Sequence, residues 1–145
     1  MIALIQRVNW AQIRIDESLH AEIGHGLLAF IGVEKEDTLE LADKLLDKLL
    51  AYRVFADAED KMNLDLKSIG GDLMLVSQFT LAADTDKGLR PGFSSAKPPQ
   101  EAQKIYNYLR DLATKRHETV ASGIFAADMQ VSLENDGPVT FILRV

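Results

Sequence analysis

The segment Ser77-Gln78-Phe79-Thr80 has the clearest capacity for chemistry in this sequence. It follows the apolar run Leu73-Met-Leu-Val76, so we expect a buried strand whose end becomes polar. Two hydroxyls and an amide beside an aromatic ring are suited to polar recognition and to backbone N–H donation rather than to packing. The candidate catalytic residues are therefore Ser77, Gln78, Phe79 and Thr80, and Thr80 is the most attractive nucleophile among their side chains.

A second unusual segment, Asn135-Asp-Gly137-Pro138-Val-Thr140, lies near the end of the chain. One interpretation is an ordinary hairpin turn, because Asn, Asp, Gly and Pro are common turn residues. The other interpretation depends on Pro138, since a cis peptide is inexpensive only before proline and turns neighbouring carbonyl oxygens in the same direction. Carbonyl oxygens that point the same way can contact a ligand and select among ligands.

Other catalytic motifs are absent or stand in the wrong context. Gly24-His-Gly26-Leu-Leu-Ala29 has the letters of a dinucleotide-binding fingerprint, but a strand is predicted where the fingerprint needs a helix, so we expect a turn. The sequence has no P-loop and no G-x-S-x-G elbow. The three histidines lack metal-ligand spacing and are expected at the surface. We therefore predict neither a metal site nor a cofactor.

Composition narrows the function classes further. The 145 residues include 16 Lys and Arg, 22 Asp and Glu and no Cys, with a formal net charge of −6. The lack of cysteine excludes disulfide frameworks and thiolate chemistry. The negative charge disfavours non-specific binding along nucleic acid, and no apolar run reaches the ~18 residues of a membrane span. The first residues do not resemble a secretion signal. We expect a cytoplasmic protein with neither DNA nor a membrane as partner.

Hydrophobic periodicity predicts a single α/β domain over residues 1–145. The expected architecture is a mainly antiparallel, barrel-like sheet with two amphipathic helices on one side. The predicted elements are a bent antiparallel meander over 1–33, a helix over 38–51 with Asp37 and Glu40 as a capping pair, strands over 52–55 and 73–81, a helix from Pro98 and Pro99 to about Arg116, and a hairpin over 129–145 that turns at 135–138.

On these residues the chain resembles the D-aminoacyl-tRNA deacylases over essentially its whole length. Ser77-Gln-Phe-Thr-Leu81 and Asn135-Asp-Gly-Pro-Val-Thr140 are the most specific matches, because they occur together at opposite ends of a chain of this length. The other matching segments are Ile5-Gln-Arg7-Val, Gly32-Val-Glu-Lys35, Tyr52-Arg-Val-Phe55, Lys61-Met-Asn63, Arg90-Pro91 and Phe125 with Ala127-Asp-Met129.

The resemblance implies a homodimeric cytoplasmic enzyme that hydrolyses the ester between a D-amino acid and the terminal adenosine of tRNA. It also implies removal of glycine from mischarged tRNA-Ala. Gly137-Pro138 matches the family's Gly-cisPro dipeptide, which one subunit inserts into the active site of its partner, where its carbonyl oxygens exclude an L side chain. Arg7 matches a family residue that braces this dipeptide. Phe125 and Met129 fall where the family holds the terminal adenosine, and Ala127 between them is assigned to substrate binding.

The same resemblance implies a mechanism without a protein nucleophile. Ser77 to Thr80 match the pocket floor, backbone amides around Phe79 stabilise the oxyanion, and the 2′-hydroxyl of the tRNA helps to activate water. Three positions depart from the family's pattern. Asp60 and Ala126 stand where glycine is common, and Gly92 stands where serine is common. Asp60 puts an acid beside Lys61, and Ala126 adds a methyl group near the adenosine pocket.

Two alternatives from other classes remain open at the level of sequence. A non-catalytic RNA-binding module would use a basic patch, and the candidates lie in an early connection and in the long loop over 82–99; they are Lys61, Lys87, Arg90 and Lys97. A hydrolase of small metabolites would use Thr80 or Ser77 as its nucleophile.

Overall fold

Strands and two helices follow the periodicity of the sequence. The computed structural model describes residues 1–86 and 88–145. The elements are β1 (Ile2–Ile15), β2 (Ser18–Ile23), β3 (Gly26–Gly32), α1 (Leu39–Ala51), β4 (Phe55–Ala56), β5 (Met62–Leu64), β6 (Asp72–Ser77), a 3-10 helix (Phe79–Ala82), α2 (Pro99–Arg116), β7 (Val120–Ser122) and β8 (Gln130–Arg144). Strand β3 is largely buried on both faces, which explains its continuous apolar run.

The main sheet is built around the long strand β1. Its first half pairs with β3, its second half pairs with β2, and β8 pairs with it along the other edge, always antiparallel. Strand β6 then adds parallel to β3, and β7 adds parallel to β6. The predicted α/β domain with a barrel-like sheet and two helices is confirmed, and the two parallel pairings make that sheet mixed. Strands β4 and β5 form a separate two-stranded sheet.

Apolar side chains form two buried clusters, one for each face of the sheet. The first joins both helices to the sheet, with Leu45 and Leu49 of α1 and Leu109 of α2 packed against strand residues such as Ala29 and Leu75. The second contains Val8, Ala11, Ile13, Ile23, Leu28, Met74 and Val76. Both helices therefore cover the same side of the sheet, as predicted.

The predicted start of α1 is correct, but its capping pair is not. Thr38 is the N-cap, and its side chain accepts a hydrogen bond from the Leu41 N–H at 3.4 Å. Asp37 is buried instead and accepts from the Met1 ammonium group at 2.7 Å and from the Glu34 N–H at 2.6 Å. Because the Met1 ammonium group and the Glu34 N–H occupy both oxygens of this carboxylate before the helix begins, it does not act as a cap.

The predicted C-terminal hairpin is wrong, because residues 130–144 form the single strand β8. Val8 pairs with Asn135 and Gln6 pairs with Thr140, so residues 136–139 bulge out opposite a single residue of β1, Arg7. The Asn135 side chain closes this bulge: its Oδ1 accepts from the Val139 N–H at 2.7 Å, and its Nδ2 donates to the Val139 carbonyl at 3.1 Å. The turn residues therefore shape a bulge within a strand.

Two strand boundaries also differ from the prediction. Tyr52 ends α1 as its C-cap, so the strand expected over 52–55 is reduced to Phe55–Ala56. The strand expected over 73–81 ends at Ser77, and the chain continues as the 3-10 helix. The apolar residues of 79–82 extended the pattern of the strand, although their backbone leaves the sheet.

Close approach of backbones explains why Gly26 is glycine. A Cβ atom at this position would lie 2.0 Å from the carbonyl oxygen of Asp72, in the paired strand β6. We expect Gly26→Ala to lower the free energy of unfolding by at least about 2 kcal/mol, since the strands must separate to admit the methyl group.

Urea unfolding of Gly26→Ala beside Gly24→Ala tests this expectation. A Cβ at Gly24 would meet Asp72 Oδ2 at an ordinary van der Waals distance of 3.5 Å, so this control should change the unfolding free energy by less than about 0.5 kcal/mol. Equal midpoints for the two variants would contradict the explanation.

Candidate functional site

The polar end of β6 opens into the site. The last ladder contact is the Gln78 N–H, which donates to the Ile31 carbonyl at 2.8 Å. The 3-10 helix then begins at Phe79, and the first N–H groups of such a helix have no partner within it. The N–H groups of Phe79 and Thr80 consequently have no partner within the helix, and they lie at the point where the strand leaves the sheet.

A cavity of about 680 Å³ lies beside this strand end. Six of the residues predicted from sequence line it together, although they come from two segments nearly fifty positions apart: Ser77, Gln78, Phe79, Phe125, Ala127 and Met129. Its wall is mainly apolar, with a few polar groups, as is typical of small-ligand sites. The fold therefore assembles most of the candidate site in one concave surface.

Thr80 lies outside this wall. Its hydroxyl oxygen accepts a hydrogen bond from Gln78 Nε2 at 2.7 Å, and its side chain is exposed. Within residues 1–86 and 88–145, no histidine donates to or accepts from Ser77 or Thr80. The arrangement thus lacks the base that activates a serine or threonine nucleophile in hydrolases of the triad type.

The remaining predicted residues, Arg7, Gly137 and Pro138, also lie outside the cavity wall and form a second group. The Gly137–Pro138 peptide is cis, and both residues are exposed at the bulge of β8. Arg7 is mostly buried beneath them. Its Nε donates to the Asp136 carbonyl and lies close to Asp136 Oδ2, both at 3.0 Å, and its Nη1 donates to the Val54 carbonyl at 2.7 Å.

Several wall residues were not predicted as part of this site, although one of them, Lys97, was a candidate for the alternative basic patch. They include Phe30, Phe93, Lys97 and Tyr106, which come from β3, the long loop and α2. Phe93 packs on Phe79 with ring centroids 5.1 Å apart. Phe30 and Tyr106 fit the apolar patterns of their own elements, so their periodicity carried no signal of a cavity. The length of the loop over 82–99 was the one available indication for Phe93 and Lys97.

Two departures from the family's pattern have a conformational meaning. Asp60 has a φ of 57° and Ala126 a φ of 62°, both in the left-handed region that favours glycine. Ala126 also lines the cavity. Non-glycine residues at these positions therefore hold a backbone that glycine adopts more easily.

The basic residues proposed as a patch are in different situations. Lys97 Nζ donates to the Lys35 carbonyl at 2.6 Å, and Lys61 Nζ pairs with Glu59 at 2.8 Å. Arg90 is exposed, and Lys87 lies outside the described residues. Across residues 1–86 and 88–145, no group of three His, Asp or Glu side chains is arranged to hold a metal ion. Neither helix is long and apolar enough to cross a membrane.

Known proteins match almost the whole chain. A family model described as "D-Tyr-tRNA(Tyr) deacylase" matches residues 4–144. A D-aminoacyl-tRNA deacylase of Cellvibrio japonicus is 57% identical over 100% of this chain and 99% of its own length. A protein of the same name from Histophilus somni is 55% identical over the full length of both chains.

Two solved structures are similar over nearly the whole chain. A structure titled "c-Myc DNA Unwinding Element Binding Protein" has a TM-score of 0.96 at 33% identity and covers 100% of this chain and 99% of its own. A probable eukaryotic D-amino acid tRNA deacylase has a TM-score of 0.86 at 15% identity, with coverages of 98% and 97%, and shows the shared fold. With the family model and the curated relatives matching end to end, the chain belongs to the D-Tyr-tRNA(Tyr) deacylase family and is a hydrolase of D-aminoacyl-tRNA esters.

Proposed function

We propose that this enzyme proofreads chirality by excluding L-aminoacyl esters, and that Gly137 and Pro138 of a partner subunit provide the exclusion. The observation that carries the proposal is the separation of two groups of residues. The cavity collects the polar strand end and the Phe125–Met129 segment, whereas the dipeptide is exposed on a bulge outside the cavity wall. A dipeptide that completes the site must then come from a second copy.

An apolar row beside the bulge supports a homodimer. Leu4 of β1 pairs with Phe30 of β3 on one side and with Ile142 of β8 on the other, so the three side chains lie on one face. Ile142 is 62% exposed, and Phe30 continues into the cavity wall. A second copy that covers this row would bring its own bulge near the cavity.

In this proposal, selection acts on the shape of the substrate at its α-carbon. The carbonyl oxygens of Gly137 and Pro138 bind the substrate amino group and occupy the space that an L side chain would need. Glycine has no side chain to exclude, so glycyl-tRNA mischarged on tRNA-Ala is also a substrate. Arg7 supports the dipeptide from below, because its guanidinium binds the Asp136 carbonyl and side chain.

Catalysis is proposed to depend on backbone amides and on the RNA itself. The N–H groups at Phe79 and Thr80 are free of partners within their helix and stabilise the oxyanion of the attacked ester. The 2′-hydroxyl of the terminal adenosine helps to activate water, while Phe125, Ala127 and Met129 hold that adenosine. An ester is reactive enough to be hydrolysed in this way because its leaving group is an alkoxide, which is less basic than the nitrogen leaving group of an amide.

We also propose the cytoplasm as the location, and neither DNA nor a membrane as partner. One structural relative is named for binding a DNA unwinding element, but the formal net charge of this chain is −6, which disfavours an extended nucleic-acid surface. RNA binding without turnover remains the competing function. Its proposed basic patch would make tRNA binding depend on salt.

The proposal is tested by following amino-acid release from D-Tyr-tRNA and L-Tyr-tRNA with the purified protein, with and without a metal chelator. We expect rapid loss of the D ester, persistence of the L ester and no effect of the chelator. Cleavage of both esters at equal rates would leave the hydrolase activity intact and refute the filter. Salt-sensitive tRNA binding without cleavage of either ester would favour the RNA-binding module.

A further inference from the structure

Tyr106 is a buried polar side chain for which the proposed mechanism has no role. It lies on α2 among the apolar residues of the first core cluster, yet it is also one of the residues that line the cavity. Only 1% of its surface is exposed. A buried phenol needs a hydrogen-bond partner. The acceptors that the Tyr106 hydroxyl contacts belong to the two backbone segments that frame the site.

The Tyr106 hydroxyl joins β6 to the segment that follows β7. It donates to the Leu75 carbonyl at 2.9 Å and lies 3.4 Å from the Gly123 carbonyl. Leu75 is two residues before Ser77, and Gly123 is two residues before Phe125. This contact between Leu75 of β6 and Gly123, called the seam below, also contains a hydrogen bond from the Gly123 N–H to the Leu75 carbonyl at 2.9 Å.

Side chains on the Phe125 side of the seam also rest on this arrangement. The rings of Tyr106 and Phe125 are 6.0 Å apart between centroids. A Cβ atom at Gly123 would lie 2.5 Å from the sulfur of Met129, so Met129 packs directly against the Gly123 backbone. A shift of Gly123 would therefore move both residues assigned to the terminal adenosine.

From these contacts we infer that Tyr106 is a positioning residue of the deacylase: its hydroxyl fixes the Phe125–Met129 segment relative to the floor of the cavity and thereby determines affinity for the terminal adenosine of the substrate. The inference rests on the proposed role of Phe125 and Met129 in holding that adenosine. Burial raises the pKa of Tyr106 above the ordinary value of a phenol, so the hydroxyl keeps its proton and remains a donor at assay pH.

The two ends of the seam depend on this hydroxyl unequally. In Tyr106→Phe, the Leu75 carbonyl keeps the hydrogen bond from the Gly123 N–H, and β6 remains paired with both β3 and β7. The Gly123 carbonyl loses its contact with the phenol, and the Phe125 side of the cavity is loosened. We therefore expect the KM for D-Tyr-tRNA to rise about tenfold, with kcat changed by less than about twofold.

A matched control is available two residues along the same helix. The Tyr108 hydroxyl donates to the Asp43 carboxylate at 3.1 Å, at the contact between α1 and α2, and Tyr108 does not line the cavity. Tyr108→Phe also removes one phenol hydroxyl, but it should leave KM unchanged. KM does not depend on the folded fraction, so partial unfolding of either variant does not imitate the expected result.

The decisive experiment is a double-mutant cycle of KM for D-Tyr-tRNA with Tyr106→Phe and Phe125→Leu. If the hydroxyl acts through Phe125, the two increases in KM will not multiply in the double variant. A normal KM for Tyr106→Phe, a decrease in kcat alone, or fully multiplicative effects would overturn the inference. A normal KM for Phe125→Leu would instead refute the proposed adenosine site, so the two failures are distinguishable.

Discussion

Phe79→Pro is expected to reduce kcat for D-Tyr-tRNA about 100-fold or more relative to Phe79→Ala, because only proline removes the backbone N–H proposed to bind the oxyanion. Proline suits this position in other respects. Phe79 is the first residue of a 3-10 helix, where its N–H has no helical partner, and the φ of proline is that of a helix start. Gln78 has φ −143° and ψ 85°, outside the helical region that a following proline disfavours.

Phe79→Ala is the necessary control because the side chain could contribute as well. Phe79 is 61% exposed, so removal of its ring should cost little stability, although the contact with Phe93 is lost. Comparing the two variants isolates the N–H from the ring. Single-turnover hydrolysis of D-Tyr-tRNA under saturating enzyme gives the required rates. If the proline variant reacts as fast as the alanine variant, the Phe79 amide is not the oxyanion donor.

Thr80→Ala separates this mechanism from a threonine nucleophile in the same assay. The alanine variant loses the hydrogen bond from Gln78 Nε2 but keeps both backbone amides. We expect its rate to stay within about fivefold of the wild-type rate, the effect of one neutral hydrogen bond. Complete loss of hydrolysis in a folded Thr80→Ala protein would contradict the RNA-assisted mechanism and favour the small-metabolite type of hydrolase.

The helices were predictable from the sequence because their signals are local. Leucines at helical spacing define α1 and its buried face, and two prolines mark the start of α2. The turn between β2 and β3 was predictable for the same reason. In each case, the residues that set the geometry are neighbours in the chain or form one regular pattern.

The path of β8 could not be predicted from turn residues alone. The letters Asn-Asp-Gly-Pro favour a change of direction, and the backbone does leave the sheet at that point. Whether the chain then returns to the same partner or reverses depends on β1, more than a hundred residues earlier. Arg7 fills the opposite side of the bulge and binds Asp136, so pairing with β1 continues on both sides.

The residues of the site also divide into those that the sequence could reveal and those that it could not. Ser77 to Phe79 were identifiable because polar residues at a buried strand's end are visible in the sequence, and the resemblance added Phe125 to Met129. Phe30 and Tyr106 could not be identified, since an apolar residue that lines a cavity has the same pattern as one that fills a core. Thr80 is the opposite case: its hydroxyl is chemically attractive, but it lies outside the cavity wall and is engaged by Gln78.

Gly137→Ala is expected to reduce kcat/KM for D-Tyr-tRNA about 100-fold, as misplacement of a positioning group by about 1 Å can do. Gly137 has a φ of 139°, which side chains rarely adopt. An added Cβ would lie 2.7 Å from Val139 Cγ2 and 3.1 Å from Arg7 Nη2. The bulge must move to relieve these contacts, so we also expect the ratio of D to L hydrolysis to fall about tenfold.

Gly70→Ala is the control for strain at a positive φ. Gly70 has a φ of 59° with no atom within 4 Å of an added Cβ, so alanine there adds conformational strain without a clash. Its D to L ratio, measured by parallel hydrolysis of D-Tyr-tRNA and L-Tyr-tRNA, should equal that of the wild type. A wild-type ratio in Gly137→Ala as well would show that this residue is not the filter.

A mixed dimer decides whether the filter acts between subunits. Co-expression with two different affinity tags isolates a dimer in which one subunit carries Gly137→Ala and the other carries Phe79→Pro. If each bulge completes the partner's cavity, the Gly137→Ala subunit receives an intact dipeptide, and one of the two sites is wild-type throughout. We then expect about half of the wild-type rate per dimer with full rejection of L-Tyr-tRNA. If the dipeptide serves its own subunit, each site carries one defect, and the mixed dimer is as slow as its parents.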